Sequence, residues 1–476
     1  MIILLEYPTY GKGGFYMQKL NRSKLIFLIF LNGYVSLSLE LAVLRQLSFY
    51  VGSSAVITSI IMAIFLGFMS FGYFIGESNK ISDKKIYDIL NINFLIIATL
   101  AVFAASFPLI TQYFTWMYMG GVTSGALQTF IYSIIFLSMG PFLFGFNTTL
   151  LSRQLHKINT NCTGNIMAWD TIGSVFGSIA TTLLLMPFIG VNYTVVLITV
   201  LSVIGAIMLR KRWWVYCICT IIICISCVIN SNYYQKNKFG IIVNNANSTI
   251  SVEEIEDIKI LNMNGLPMSI YNNKNGDTAE YVRYLNNHFI YNMPNDKTHK
   301  ILVLGAGGFT LGIKDEHNEY TFVDIERTLK DVSEKHFLNE KLSANKKFIV
   351  DDASQFLKNT NEQYDFILLD VYSNSYQVPE SLITVEFMER LKARIAPNGI
   401  IAMNMIVSPE FDDKYSRVFD NTFHRVFPHN TSRQVIGWFN PWIKQDGASN
   451  VIYLYYNTEN DGRVYTINKT PVIYDR

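Results

Sequence analysis

Glycines and a carboxylate in the second half of the chain follow short apolar runs, where a ligand could bind. The run at 300–304 leads into a G-A-G-G loop that contains Gly305 and Gly307. A loop without bulky side chains lets a ligand approach the backbone. Asp324 ends the next apolar run, 19 residues after Gly305, and a carboxylate at about that spacing can accept both hydroxyls of a ribose. Together they predict a nucleoside site.

The glycine loop also indicates the class of cofactor. It has neither the third glycine of G-x-G-x-x-G nor a basic residue, and both would favour a dinucleotide with phosphates. An adenosyl cofactor that carries sulfur fits the loop better. Asp352, after the run at 347–351, could accept a hydrogen bond from an adenine amino group, or it could cap the helix predicted from Ala353.

Asp370 is the candidate catalytic residue. It follows the apolar run at 366–369, where it could take a proton from a cationic amine and stabilise the charge during attack on a sulfonium carbon. Its alternative role is to brace the loop that follows. Tyr372 and Tyr376 in that loop could line an amine pocket through cation–π contacts, or be ordinary loop aromatics.

The elements that position these residues alternate along the chain, and they predict an α/β Rossmann-like, methyltransferase-type domain over 296–476. A parallel sheet with helices on both faces binds ligands beyond the carboxyl ends of its strands. The region 238–295 is predicted to be rich in β-hairpins, with strands at 258–263 and 267–271. The predicted strands of the larger domain are 300–304, 320–324, 347–351, 364–371, 399–405 and an added edge strand at 450–456. The predicted helices are 327–337, 353–358 and 380–394.

The first half of the chain differs sharply in composition. Of the 476 residues, 50% are hydrophobic and 16% are charged, and most of the apolar excess precedes residue 232. A helix needs about 20 apolar residues to cross a bilayer, so we predict a multi-span helical bundle over 25–232 after a cytoplasmic segment at 1–24. The seven predicted spans are 25–49, 54–76, 88–110, 127–151, 166–187, 192–209 and 213–229.

The side of the membrane on which the second half lies is open at this stage. Basic residues cluster in alternate loops and predict a cytoplasmic amino terminus, so seven spans place the second half outside. The cofactor argument favours the inside, where an adenosyl cofactor is available. One weak or re-entrant span would reverse the side.

Ionisable residues within the predicted spans have both a structural and a functional interpretation. Arg45 is expected to extend to the interface, with Glu40 paired to it or to a neighbouring helix, and Asp170 to be interfacial. A substrate or proton path is the alternative. Gly173 and Gly177 have the small-xxx-small spacing that lets helices pack closely.

Several partners are not expected. The net charge of +2 gives no basic patch typical of nucleic-acid binding. All five cysteines precede residue 232, so their positions predict neither a disulfide framework nor a metal site. They are Cys162, Cys217, Cys219, Cys224 and Cys227.

Ordered motifs across 258–406 resemble the spermidine synthase (polyamine aminopropyltransferase) family. The stretch YDFILLDVYSNSYQVPESLITVEFMERLKARIAPNG resembles the family pattern of YD, an apolar strand, D-S-S-D, P-x-E-S-L-x-T-x-E-F and P-x-G. ILVLGAGGFTLG, FVDIE, VDDASQFL and NGDTAEYVRYL resemble its glycine, second-strand, adenine and D-E-x-x-Y-H-E-M-L motifs. SLELAVLRQLSFYVGSS and FLGFMSFGYFIGE are similar to the multi-span region of membrane-fused relatives.

The resemblance implies a role for each matching residue. Asp324 would bind the ribose, Asp352 the adenine amino group, and Asp370 the attacking amine as catalytic base. Tyr281 and Ser373 would contribute to the amine side. The implied co-substrate is decarboxylated S-adenosylmethionine, or S-adenosylmethionine itself, without a metal.

The chain also departs from the family pattern. The acid of the family's G-G-G-D-G-G is missing from the glycine loop, Ser373 or Asn374 replaces the second Asp of D-S-S-D, and Met268 stands where the family has a ligand-contacting Gln. Two carboxylates that would recognise a polycation are therefore absent, and the amine site is less similar to the family than the nucleoside site.

We expect a multi-pass protein of the plasma (inner) membrane that transfers an aminopropyl group to a small amine. Its other expected partners are the lipid bilayer and a second copy, bound through the soluble half. Two alternatives remain open from the sequence: an S-adenosylmethionine-dependent methyltransferase, and a transporter or sensor whose degenerate domain only binds a nucleoside or polyamine.

Overall fold

A computed structural model describes residues 20–52, 54–77, 81–158, 162–372, 378–437 and 448–459. The chain forms two compact units. The described residues within Met1–Gln46, Thr58–Met186 and Asn192–Asn230 form the helical unit. Those within Ser231–Arg476, with the short segments Leu47–Ile57 and Pro187–Val191, form the α/β unit. The predicted segment 1–24 lies mostly outside the described residues.

The helices up to Ile229 are mostly apolar and differ in length. They are α1 (Arg22–Val51), α2 (Ala55–Gly76), α3 (Asp83–Ala105), α4 (Phe107–Met119), α5 (Gly125–Tyr132), α6 (Met139–His156), α7 (Thr163–Ile179), α8 (Met186–Leu209) and α9 (Trp213–Ile229), with π-helical turns at Ser133–Leu137 and Ala180–Leu185. Among the described residues, four helices are long and apolar enough to cross a membrane, and up to six if each of two bent helix pairs is one span. Gly190 interrupts α8 with a φ of 84°, between the predicted spans 166–187 and 192–209.

Glycines bring α1 and α7 into backbone contact. A Cβ on Gly173 would lie 2.1 Å from the carbonyl oxygen of Phe30, and one on Gly177 would lie 2.4 Å from that of Tyr34. No larger residue fits at either position, so the small-xxx-small spacing has the packing role that the sequence predicts.

Polar side chains bond to one another inside the helical unit. The Asn32 amide donates to Thr148 Oγ1 at 3.0 Å, and the Asn93 amide donates to Asn147 Oδ1 at 2.7 Å. Thr148 Oγ1 lies 3.5 Å from Asp170 Oδ1. Asp170 therefore belongs to a network that joins several helices, which the sequence did not predict.

A small antiparallel sheet opens the α/β unit after α10 (Asn232–Phe239). Its strands, in spatial order, are β1 (Ile241–Asn244), β2 (Thr249–Ile255), β3 (Ile258–Met263) and β4 (Leu266–Asn272). Asn264 and Gly265 join β3 to β4 with φ angles of 51° and 79°, as a two-residue type I′ hairpin requires. The predicted hairpin is confirmed.

The main sheet has seven strands in the order β10-β11-β9-β8-β5-β6-β7. Strands β5 to β9 are parallel, and β10 and β11 are antiparallel at one edge. The strands are β5 (Lys300–Leu304), β6 (Glu319–Asp324), β7 (Lys346–Val350), β8 (Tyr364–Leu369), β9 (Ile395–Val407), β10 (Thr431–Gly437) and β11 (Ser449–Tyr456). The helices are α11 (Glu280–His288), α12 (Leu329–Val332), α13 (Ala353–Asn359), α14 (Val385–Lys392) and α15 (Lys414–Val426), with a π-helical turn at Ser333–Phe337 and 3₁₀ turns at Ile290–Asn292 and Glu380–Leu382.

Strand β5 shows why the centre of this sheet must be covered on both faces. Leu302 and Leu304 belong to one hydrophobic cluster, and Ile301 and Val303 belong to another. All four are at most 2% exposed. A strand that is apolar on both faces needs helices above and below it, so the predicted Rossmann-like fold is confirmed. The sequence missed α11, α15 and β10.

Candidate functional site

The glycine loop and Asp370 meet at the carboxyl ends of β5 and β8, which are neighbours in the sheet. The Asp370 N–H donates to the carbonyl of Leu304 at 2.8 Å, and the Gly305 N–H donates to that of Val323 at 2.9 Å. Gly305 has a φ of 94°, and a Cβ there would lie 2.1 Å from the Asp370 carbonyl oxygen. Only glycine permits this approach, so β5, β6 and β8 end at one place.

Asp324 braces the glycine loop from the end of β6. Its Oδ2 accepts a hydrogen bond from the Ala306 N–H at 3.0 Å, and its Oδ1 accepts one from the Glu326 N–H at 2.9 Å. Burial raises the pKa of Asp324 to about 6, against the lowering effect of these two hydrogen bonds. A carboxylate offers about four acceptor positions, so both oxygens retain capacity for a ribose.

Glu326 supports the loop that follows Asp324. The sequence analysis did not assign it a role, although it is the last residue of the FVDIE motif. It is 2% exposed. Its carboxylate accepts hydrogen bonds from the Ser248 hydroxyl and from the Asn245 amide, the latter at 3.1 and 3.2 Å. These bonds tie the β1–β2 turn to the loop that follows Asp324.

Asp370 is partly buried, and each of its carboxylate oxygens has a side-chain donor. The Tyr281 hydroxyl donates to Oδ2 at 2.7 Å, and the Asn404 amide donates to Oδ1 at 2.9 Å. Burial raises the pKa of Asp370, while the hydrogen bonds from Asn404 and Tyr281 oppose that rise. The result is a fixed carboxylate with an increased proton affinity, which suits a general base.

Asn404 was missed by the sequence reasoning, although the signal was present. It is the amide within the otherwise apolar run IIAMNMIV of β9, and it is 1% exposed. A buried amide inside such a strand needs a polar partner, and Asp370, directly after neighbouring β8, supplies it.

Tyr372 also lies beside Asp370, but its hydroxyl has a backbone partner. It donates to the carbonyl oxygen of Asn404 at 2.6 Å. Burial, and next the nearby Asp370 carboxylate, raise the pKa of Tyr372 well above its ordinary value. The phenol therefore stays neutral. Ser373 and Tyr376 lie outside the described residues.

A small pocket lies beside Asp370. Its wall combines residues from the hairpin strand β4, helix α11, the glycine loop, the segment that follows β8, and strand β9. The lining residues are Leu266, Pro267, Met268, Tyr281, Gly307, Asp370, Tyr372 and Asn404. The predicted residues Tyr281, Gly307, Asp370 and Tyr372 are thus brought together.

Asp352 caps α13, as one of its two predicted roles requires. Its Oδ1 accepts a hydrogen bond from the Gln355 N–H at 3.0 Å, the side chain is exposed, and Ala353 behind it is buried. The adenine role of Asp352 and Ala353 stays a prediction. Within the described ranges, no group of three or more His, Cys, Asp or Glu side chains could bind a metal.

Comparison with known proteins identifies the type of domain. The family model for the spermine/spermidine synthase domain matches residues 285–436. A polyamine aminopropyltransferase of Vibrio vulnificus is 27% identical over 30% of this chain and 50% of its own length. The one of Sulfurisphaera tokodaii is 31% identical over 27% of this chain and 45% of its own length. The chain thus spans about half the length of these two curated relatives.

Another similarity covers more of the chain. Polyamine aminopropyltransferase 2 of Aquifex aeolicus is 23% identical over 78% of this chain and 77% of its own length. Among solved structures, a probable spermidine synthase from Corynebacterium glutamicum is 22% identical with a TM-score of 0.37, covering 47% of this chain and 80% of its own. The spermidine synthase of Thermotoga maritima is 16% identical with a TM-score of 0.36, covering 44% of this chain and 70% of its own. Residues 285–436 of this chain are thus similar to the spermine/spermidine synthase domain, and its curated relatives are polyamine aminopropyltransferases.

Proposed function

We propose that the protein is a membrane-bound aminopropyltransferase that moves an aminopropyl group from decarboxylated S-adenosylmethionine to an amine. One observation carries the proposal: the Asp370 carboxylate, bonded to Tyr281 and Asn404, faces a pocket that also contains Gly307 of the glycine loop. A base beside a nucleoside-binding loop is the arrangement that transfer from an adenosyl sulfonium requires.

The nucleoside would lie along the ends of β5, β6 and β7. Asp324 would accept the ribose hydroxyls, and Gly305 and Gly307 would let the sulfur approach the backbone. Asp352 would accept the adenine amino group with the carboxylate oxygen that does not cap α13. This placement would direct the sulfonium towards Asp370, because β5 and β8 are adjacent.

The transfer step is a displacement at carbon. The acceptor nitrogen forms a bond to the aminopropyl carbon attached to sulfur, and the C–S bond breaks with its electron pair remaining on sulfur. The products are methylthioadenosine and an alkylated amine. Asp370 takes the proton that the nitrogen loses, so a raised pKa helps it to deprotonate an ammonium.

The membrane location rests on the apolar helices. The described stretch Thr163–Leu209 has 47 residues and would be about 70 Å long as one straight helix, more than twice the roughly 30 Å of a bilayer core. The break at Gly190 would therefore divide it into two spans. The similarity to the Aquifex aeolicus protein covers 78% of this chain, so it also extends into the helical part.

Replacement of the base tests the reaction directly. With the full chain in detergent or nanodiscs, decarboxylated S-adenosylmethionine and an amine should give methylthioadenosine. We expect Asp370→Asn to reduce its release about 10²- to 10⁴-fold, the range for loss of a general base. The matched control is Asp365→Asn, because Asp365 lies at the opposite end of β8 and pairs there with Lys297.

Three results would contradict the proposal. Equal rates for the wild type and Asp370→Asn would remove Asp370 from the chemistry. Formation of S-adenosylhomocysteine from S-adenosylmethionine would indicate methyl transfer instead. Binding of the nucleoside without any product would favour the sensor or transporter alternative.

The pH dependence of kcat/KM should change when the hydrogen-bond donors to Asp370 are removed. Activity should be lost as the pH falls through the raised pKa of Asp370, since only the carboxylate accepts the proton. Asn404→Ala and Tyr281→Phe each remove a hydrogen bond that lowers this pKa. The acid limb should therefore move to higher pH in both variants, whereas Tyr364→Phe, remote at the start of β8, should leave it in place. A limb that stays fixed or moves to lower pH in Asn404→Ala would refute this assignment.

The two roles of Asp352 can be separated by two substitutions. Asp352→Ala removes the cap of α13 and should cost about 1 kcal/mol of stability, measured as a lower unfolding temperature. Asp352→Ser keeps a good capping residue but removes the carboxylate. If Asp352 binds adenine, both variants should bind methylthioadenosine several-fold more weakly in calorimetry. Wild-type affinity in Asp352→Ser would leave Asp352 with the capping role alone.

A further inference from the structure

We infer that the acceptor pocket selects an amine with one positive charge and an apolar body, in preference to a polyamine. This inference rests on the proposed function and specifies its substrate class. It follows from the residues that line the pocket beside Asp370, which combine one carboxylate with three apolar residues of β4.

The lining residues include one carboxylate and a group of apolar residues. Asp370 is the only carboxylate among the lining residues that the structure describes, and it matches a single ammonium. Strand β4 contributes three successive apolar residues to the lining: Leu266, Pro267 and Met268. An amine with a hydrocarbon tail could place its nitrogen at Asp370 and its tail against this apolar wall.

The apolar wall is fixed to the glycine loop. The Ser269 hydroxyl, next to Met268, accepts a hydrogen bond from the Gly308 N–H at 2.8 Å. A Cβ on Gly307 would lie 2.9 Å from Ser269 Oγ and 4.0 Å from the Met268 carbonyl oxygen. Strand β4 and the glycine loop are thus in direct contact, which fixes the backbone of Met268 beside the loop.

Among the described residues that line this pocket, a second ammonium would find no matching charge. Asp324 already accepts two backbone hydrogen bonds and would be occupied by the ribose. In the sequence, the next acidic residue after Asp370 is Glu380, and its side chain is exposed. A buried ammonium without a partner is strongly disfavoured, so the second charge of a diamine should reduce its binding here.

Initial rates with a set of amines test the selectivity. The full chain, supplied with decarboxylated S-adenosylmethionine, should release methylthioadenosine faster with hexylamine than with 1,4-diaminobutane or spermidine, by at least tenfold in kcat/KM. From propylamine to hexylamine, kcat/KM should rise by up to about fourfold per buried methylene. A preference for the diamine would overturn the inference while leaving the proposed function intact. No release with any amine would overturn both.

Substitution of Met268 tests whether the apolar wall sets this preference. Met268→Glu adds a carboxylate beside the pocket and should shift the ratio of kcat/KM towards 1,4-diaminobutane by at least tenfold. Met268→Gln is the matched control, since it has nearly the same size and polarity without the charge, and it should not produce that shift. Binding of methylthioadenosine by each variant would confirm that the pocket is intact. Equal ratios for Met268→Glu and Met268→Gln would refute the role of the wall.

Discussion

The close approach of Gly305 to the backbone of Asp370 is the constraint on which the rest of the site depends. With a φ of 94° and space for no Cβ, Gly305 lets the ends of β5 and β8 meet. Because Asp370 follows β8 directly, its carboxylate lies beside the glycine loop without any further loop to position it. Asp324 then bonds to that loop from β6, so the positions of Asp324, the glycine loop and Asp370 are coupled through the backbone.

The central part of this arrangement could be predicted from the sequence, because parallel strands that are buried on both faces are continuous apolar runs. The run at 300–304 became β5 with the predicted bounds, and Asp370 follows β8 as expected. Asn404 could not be assigned a partner in advance, since its contact with Asp370 depends on the order of strands in the sheet. Strand β10 was missed because its sequence, TSRQVIG, lacks such a run.

The sequence also cannot decide between two possible partners of one side chain. Asp352 could be interpreted as a cap or as a ligand, and the capping bond to Gln355 is the one present in the structure. Tyr372 was expected to line a pocket, and it does so while its hydroxyl bonds to the backbone at Asn404. In the helical unit, composition predicted apolar helices, but the bonds among Asn32, Thr148 and Asp170 depend on which helices are neighbours.

The central claim is that the strand ends position a nucleoside with its sulfur towards Asp370. The most direct test is an experimental structure of the full chain with methylthioadenosine bound. The account predicts ribose hydroxyls within hydrogen-bond distance of Asp324 and the sulfur beside the pocket that Asp370 and Met268 line. A nucleoside bound elsewhere, for example in the separate polar pocket around Arg283 and Lys314, or one bound with its sulfur directed away from Asp370, would contradict it.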